Sequence, residues 1–74
     1  PAENELNIRF FSEADDQIIV EVHDVIGKLI INKVVSAAKG NNLVTLDISS
    51  AAGGMYVLKI KFTTSSVHRK FVKQ

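Results

Sequence analysis

Five groupings of residues in this chain are of types that can do chemistry. His23 and Asp24, with any of the serines, supply the parts of a nucleophilic triad. A triad needs an oriented trio and an oxyanion hole, however, and neighbours on an extended chain point to opposite faces. The two histidines, His23 and His68, lack metal-ligand spacing and read as strand surface residues. Glu13, Asp15 and Asp16 offer carboxylates to calcium, but without the regular succession of oxygen ligands that a calcium loop needs; they read as a solvated acidic loop. Gly53-Gly54 lacks the context of a phosphate loop and reads as a bend into a strand. Arg69, Lys70 and Lys73 make a basic tail, but only Phe71 interleaves with them, whereas single-stranded nucleic acid is held by several stacking rings. The sequence therefore points away from an enzyme. We expect no catalytic residue, cofactor, metal or nucleic-acid partner.

The groups that remain must be presented by something. Seventy-four residues make one domain, and 46% hydrophobic residues suffice for a core. No cysteine is present, so neither a disulfide nor a thiolate metal site can reinforce it. No apolar run approaches the roughly 18 residues of a membrane span. The chain opens at Pro1-Ala2 without an initiator Met or signal peptide, and we expect residues 1–74 to be one domain cut from a longer protein. Charge is sorted along it. Residues 1–27 hold seven acids against Arg9 alone; residues 28–74 hold eight bases against Asp47 alone. Such asymmetry marks either a partner surface or acidic early strands lying beside basic late ones.

Alternation with a period of two runs through the chain. It predicts strands in LNIRF, IIVEVH, KLIINKVV, LVTLDI, MYVLKIKF and VHRKFVKQ, separated by polar or glycine-bearing breaks. Six or seven short strands at about ten-residue spacing read as an all-β antiparallel sandwich. The expected core is Leu6, Ile8, Phe10, Ile18, Val20, Val22, Val44, Leu46, Tyr56, Leu58 and Ile60.

One turn stands out. In HDVIGKLI, Asp24 and Gly27 suit the first and fourth positions of a type I turn. Asp24 can accept from backbone N–H groups two residues on, and Gly27 can take the left-handed conformation that closes a bulged hairpin. Val25 and Ile26 at the tip have no such explanation. Either they fold back onto the core or they meet a partner.

Taken together, PAENELNIRF, IIVEVHDVIGKLI, NNLVTLDISSAAGGMYVLKI and RKFVKQ resemble the type A C-terminal sorting domain of proteins exported by the bacterial type IX (Por) secretion system. In that family a Pro-Ala or Pro-Ser opens the domain, matched by Pro1 and Ala2. An Asp-x-x-Gly-Arg/Lys turn follows, matched by Asp24, Gly27 and Lys28. A Gly-x-Tyr begins a long strand, matched by Gly54 and Tyr56. A basic-apolar tail closes it, matched by Arg69, Lys70, Phe71, Val72, Lys73 and Gln74. The usual Leu-Pro-Ala-Gly approach to the tyrosine is replaced here by Ala51-Ala52-Gly53-Gly54.

The resemblance implies a small immunoglobulin-like sandwich that serves as the export signal of an N-terminal cargo in the same chain. Its partners would be the type IX translocon and a sortase-like peptidase that removes it. Its route would run through the periplasm to the outer membrane, the cell surface or the medium. For recognition it points to Arg69, Lys70, Phe71, Val72 and Lys73, and to the tip residues Val25 and Ile26. An edge strand could also pair two copies. The rival reading is a carbohydrate-binding or adhesion sandwich, which would expose a row of aromatic rings.

Overall fold

The period-two pattern becomes six strands in the computed structural model, which describes residues 4–74; the expected opening residues Pro1 and Ala2 lie outside the described residues. The strands are β1 (Glu5–Ser12), β2 (Asp16–Asp24), β3 (Leu29–Ala37), β4 (Gly40–Asp47), β5 (Gly54–Lys61) and β6 (Ser66–Lys73). All pairings are antiparallel. One sheet has the order β3-β2-β5-β6, and the other is the pair β1-β4. No helix occurs among the described residues. The expected antiparallel sandwich is thus present, with four strands facing two.

Two boundaries differ from the alternation. Asp16 and Gln17 belong to β2 rather than to a loop, and Gly40–Asn42 belong to β4. Pairing explains both. Gln17 lies opposite Ser36, and Asn41 and Asn42 lie opposite Phe11 and Phe10, so the backbone ladder continues through polar residues. The acidic loop is also more than solvated charge. Asp15 Oδ1 accepts from the Lys39 amide at 2.8 Å. Asp16 accepts from the Thr63 amide at 3.0 Å and its hydroxyl at 2.5 Å. Two carboxylates thereby tie the first loop to the β3–β4 and β5–β6 connections.

The core is centred on β2, which is paired on both sides. Ile18, Val20 and Val22 are at most 1% exposed. Leu58 and Ile60 from β5, and Val44, Leu46 and Ile48 around β4, are buried with them. Nine of the eleven expected core residues are buried; Leu6 and Phe10 are only half-buried, and Ala37 and Ile48 join the core. The two half-buried residues share a cause. Both sit on β1 and border the open depressions between it and β6. Phe10 recovers some contact edge-on to Phe62, with ring centroids 5.8 Å apart.

Truncating Ile18 to Ala should cost about 2–4 kcal/mol, a large share of what so small a domain has. The same change at half-buried Leu6 should cost less than half as much. Urea unfolding followed by circular dichroism measures both, and equal losses would mean that β1 is covered on both sides.

Candidate functional site

The turn that joins β2 to β3 has the geometry its residue types dictate. The Gly27 amide donates to the Asp24 carbonyl at 3.0 Å, and the Asp24 amide donates to the Lys28 carbonyl at 3.0 Å. Asp24 Oδ1 accepts from the Ile26 and Lys28 amides at 3.1 and 2.9 Å. Gly27 has φ +92°, a conformation that costs a side-chain-bearing residue about 1–2 kcal/mol. A register shift at Val22/His23 adds a bulge to the hairpin. The tip is thus held from within, and neither apolar side chain takes part. Val25 is 69% exposed and Ile26 85%, so they do not fold back onto the core. A shallow depression on the outer sheet face adjoins them, lined by His23, Val57, Lys59 and His68.

The basic tail is β6, an edge strand paired only with β5. Its register places Val67, Arg69 and Phe71 opposite the inward-facing Ile60, Leu58 and Tyr56, and His68, Lys70 and Val72 opposite Lys59, Val57 and Met55. Arg69 and Lys70 are exposed. Neither has an ion-pair partner among the described residues. Val72 is exposed, and Phe71 is half-buried, stacked on Tyr56 with centroids 5.7 Å apart.

Lys73 behaves differently from its neighbours. The sequence grouped it with the exposed cations, but it is 8% exposed. Its Nζ donates to the Ala51 carbonyl and, at 3.4 Å, to the Ser49 carbonyl. Tyr56 donates its hydroxyl to the Ala52 carbonyl. Between them these two side chains collect three carbonyls of the loop that crosses from β4 to β5. Gly54 closes that loop with φ +153°, so the bend expected of Gly53-Gly54 is present without the usual proline.

Three features now coincide: an Asp-anchored turn with an apolar tip, a Gly-x-Tyr strand entry fastened by the last strand, and a cationic edge. The family described as "Secretion system C-terminal sorting domain" matches residues 1–74, the whole chain. The chain belongs to this family. No curated protein and no solved structure matches it. The sorting domain is therefore an all-β signal of type IX secretion, and a protein bearing it is exported to the medium or the cell surface.

The sorted charges are only partly spent within the fold. Glu21 on β2 meets Lys61 on β5 at 3.5 Å and His23 at 3.0 Å. The hydrogen bond from His23 and then the positive charge of Lys61 hold the Glu21 carboxyl below its ordinary range, against the opposing effect of burial. Asp16 and Asp47 are lowered by hydrogen bonds from Thr63 and Ser49. By contrast, Glu5 lies opposite Asp47, a like-charge pair. The residues that sequence reasoning missed are those of β1 lying near β6. The readable signal was Arg69 at an inward position of β6, where a covered strand would carry an apolar residue.

Three outcomes follow from these contacts. Gly27→Val should destabilise the domain by about 1–2 kcal/mol, whereas Ile26→Ser should leave the melting temperature unchanged. Lys73→Ala should cost about 1.5–3 kcal/mol through its lost charged hydrogen bonds, and Lys70→Ala under about 1. Because the folded-state values of Glu21, Asp16 and Asp47 lie below their unfolded ones, the stability they contribute is present above about pH 4.5 and is lost as pH falls through the folded values. Melting followed from pH 6 to pH 2 checks the sign, and Glu21→Gln should make the acid decline shallower.

Proposed function

We propose that residues 1–74 act as a non-catalytic handle on an N-terminal cargo. The type IX translocon reads the handle in the periplasm and moves the cargo across the outer membrane. A sortase-like peptidase then cuts the handle away. The observation that carries this reading is the family match along the whole chain. Its physical counterpart is that the sequence motifs of the family coincide with presentation features rather than with a pocket able to do chemistry.

Within the handle, recognition falls to two surfaces. One is the cationic edge of β6, where Arg69 and Lys70 are exposed beside Val72. Phe71 and Lys73 serve the same surface by fixing the strand, the first on Tyr56 and the second on the crossing loop. The other is the Val25-Ile26 tip, held rigid by Asp24, Gly27 and Lys28. Cations at an exposed edge accelerate encounter with an acidic partner and add little to the stability of the fold itself. A carbohydrate-binding reading finds less support. Of the five aromatic residues Phe11 alone is exposed, whereas sugar stacking uses a row of rings.

The test is a secreted reporter fused to the domain in a host with a type IX system. The intact fusion should reach the surface or medium. Arg69→Ala with Lys70→Ala should leave a folded domain that is delivered less well, and Val25→Ser with Ile26→Ser should act in the same direction. Retention of the intact fusion in the periplasm would refute the sorting reading. Undiminished delivery of the β6 variant would remove that edge from recognition.

A further inference from the structure

The two sides of the sandwich are closed differently. On one side Lys33 of β3 donates to the Thr45 carbonyl of β4 at 3.5 Å, and the short Ala38-Lys39 link joins the same two strands across the sheets. On the other side β1 and β6, like β3 and β4, each have an unpaired edge. Among the described residues no hydrogen bond or ion pair joins them. Two open depressions lie along this seam, the first between Glu5, Leu6 and Asn7 on one side and Lys70, Phe71 and Val72 on the other. A second depression lies further along, lined by Arg9, Phe10 and Phe11 of β1 and by Val67 and Arg69 of β6. The seam therefore combines free backbone groups with apolar side chains that are only partly covered, Leu6, Phe10 and Phe71, and with exposed Val67.

We infer that this seam accepts an extended strand of a partner, paired on the β6 edge, whose alternate residues are apolar and acidic. The partner is a segment of the export machinery, so the inference rests on the sorting function proposed above. The period-two geometry of a strand specifies both halves of its chemistry. Residues facing inward would cover half-buried Leu6, Phe10 and Phe71 and exposed Val67. Residues facing outward would lie next to His68 and Lys70 and near Lys59, on a face where acids are favoured. Arg9 and Arg69 line the second depression and Lys70 the first, against Glu5 alone. A second copy fits poorly, because β6 against β6 sets Arg69 and Lys70 beside their own equivalents. Cations on an edge also serve simply to prevent aggregation. That role is satisfied by either sign of charge, whereas strand acceptance is not.

The probes are two capped nine-residue peptides, one alternating valine with glutamate and one alternating valine with lysine, titrated into the 74-residue chain and followed by amide chemical shifts. The valine–glutamate peptide should shift amides of Ile8–Phe11 and Val67–Val72, leave those of Asn32–Val35 on the β3 edge in place, and bind about tenfold more tightly than the lysine peptide. Arg69→Glu with Lys70→Glu should invert that preference. Should this variant not fold, the unmodified chain still decides, since raising salt from about 50 to about 500 mM should weaken the acidic peptide several-fold. Equal affinity for the two peptides, shifts centred on β3, or no binding would each overturn the proposal. Delivery of the reporter fusion by the intact domain alongside any of these results would leave sorting intact and refute the seam alone. Failure of delivery would instead refute sorting.

Discussion

A sheet of two strands cannot cover a sheet of four. With strands about 4.8 Å apart, the wide sheet spans about 14 Å between its outer strands and the narrow one about 5 Å. The difference has to appear as overhang, and how each side meets it shapes the rest of the molecule. At β3 the short link to β4 and the reach of Lys33 close the gap. At β6 such a reach is confined to one end, where Lys73 donates to the Ser49 and Ala51 carbonyls, and the inward positions before it hold exposed Arg69 and half-buried Phe71. Leu6 and Phe10 are half-exposed on β1, where they border the gap to β6. The apolar centre that resists this opening is narrow. Ile18, Val20 and Val22 of β2, with the residues of β4 and β5 that touch them, carry most of it.

The segregation of charge along the chain acquires its meaning from the strand order. Acidic β2 lies between β3 and β5, both of which carry lysines, so Glu21 can be answered by Lys61 within the sheet. Asp15 and Asp16 are drawn into backbone hydrogen bonds. These uses absorb acids of the first third. Lys73 acts on Asp47, but Arg69 and Lys70 meet no acid within their sheet because β5, their only neighbour in it, is itself basic. The surplus thus collects on one edge without any single residue being unusual. That is why cross-strand pairing and a partner surface are both partly right as accounts of the same asymmetry.

The fold was legible because its signal is local. A period of two, glycine and asparagine breaks, and the Asp24–Gly27 turn each act within a few residues, and the ladder, the positive φ of Gly27 and the capping by Asp24 follow from them. What the sequence concealed is non-local. Lys73 reads as one more cation in a basic tail. Only the register of β6 against β5 brings it beneath residues 49–51, where backbone carbonyls accept its protons. The seam was hidden for the same reason, since it exists only once β1 and β6 are known to be unpaired on facing sides. The exposure of Val25 and Ile26 could be posed as a question from residue types, but only the bonding inside the turn answers it.

These contacts also separate two kinds of dependence on the chain's final residues. Lys73 and Phe71 hold the β4–β5 loop and the stacked Tyr56, so removing them alters the fold before it alters any surface. Arg69, Lys70 and Val72 project from the same strand without such ties. Deleting the whole tail would merge both effects, and a loss of sorting after such a deletion would say little about recognition. The two roles fall on different side chains: Lys70 and Val72 lie on the face opposite to Phe71 and Lys73, and Arg69, though on the anchors' face, makes no ion pair among the described residues. One set anchors the strand to the domain, and the other is left for whatever pairs with its edge. A handle that must stay folded while being gripped needs that division, because a partner that bound the anchoring residues would unfasten the domain it recognises.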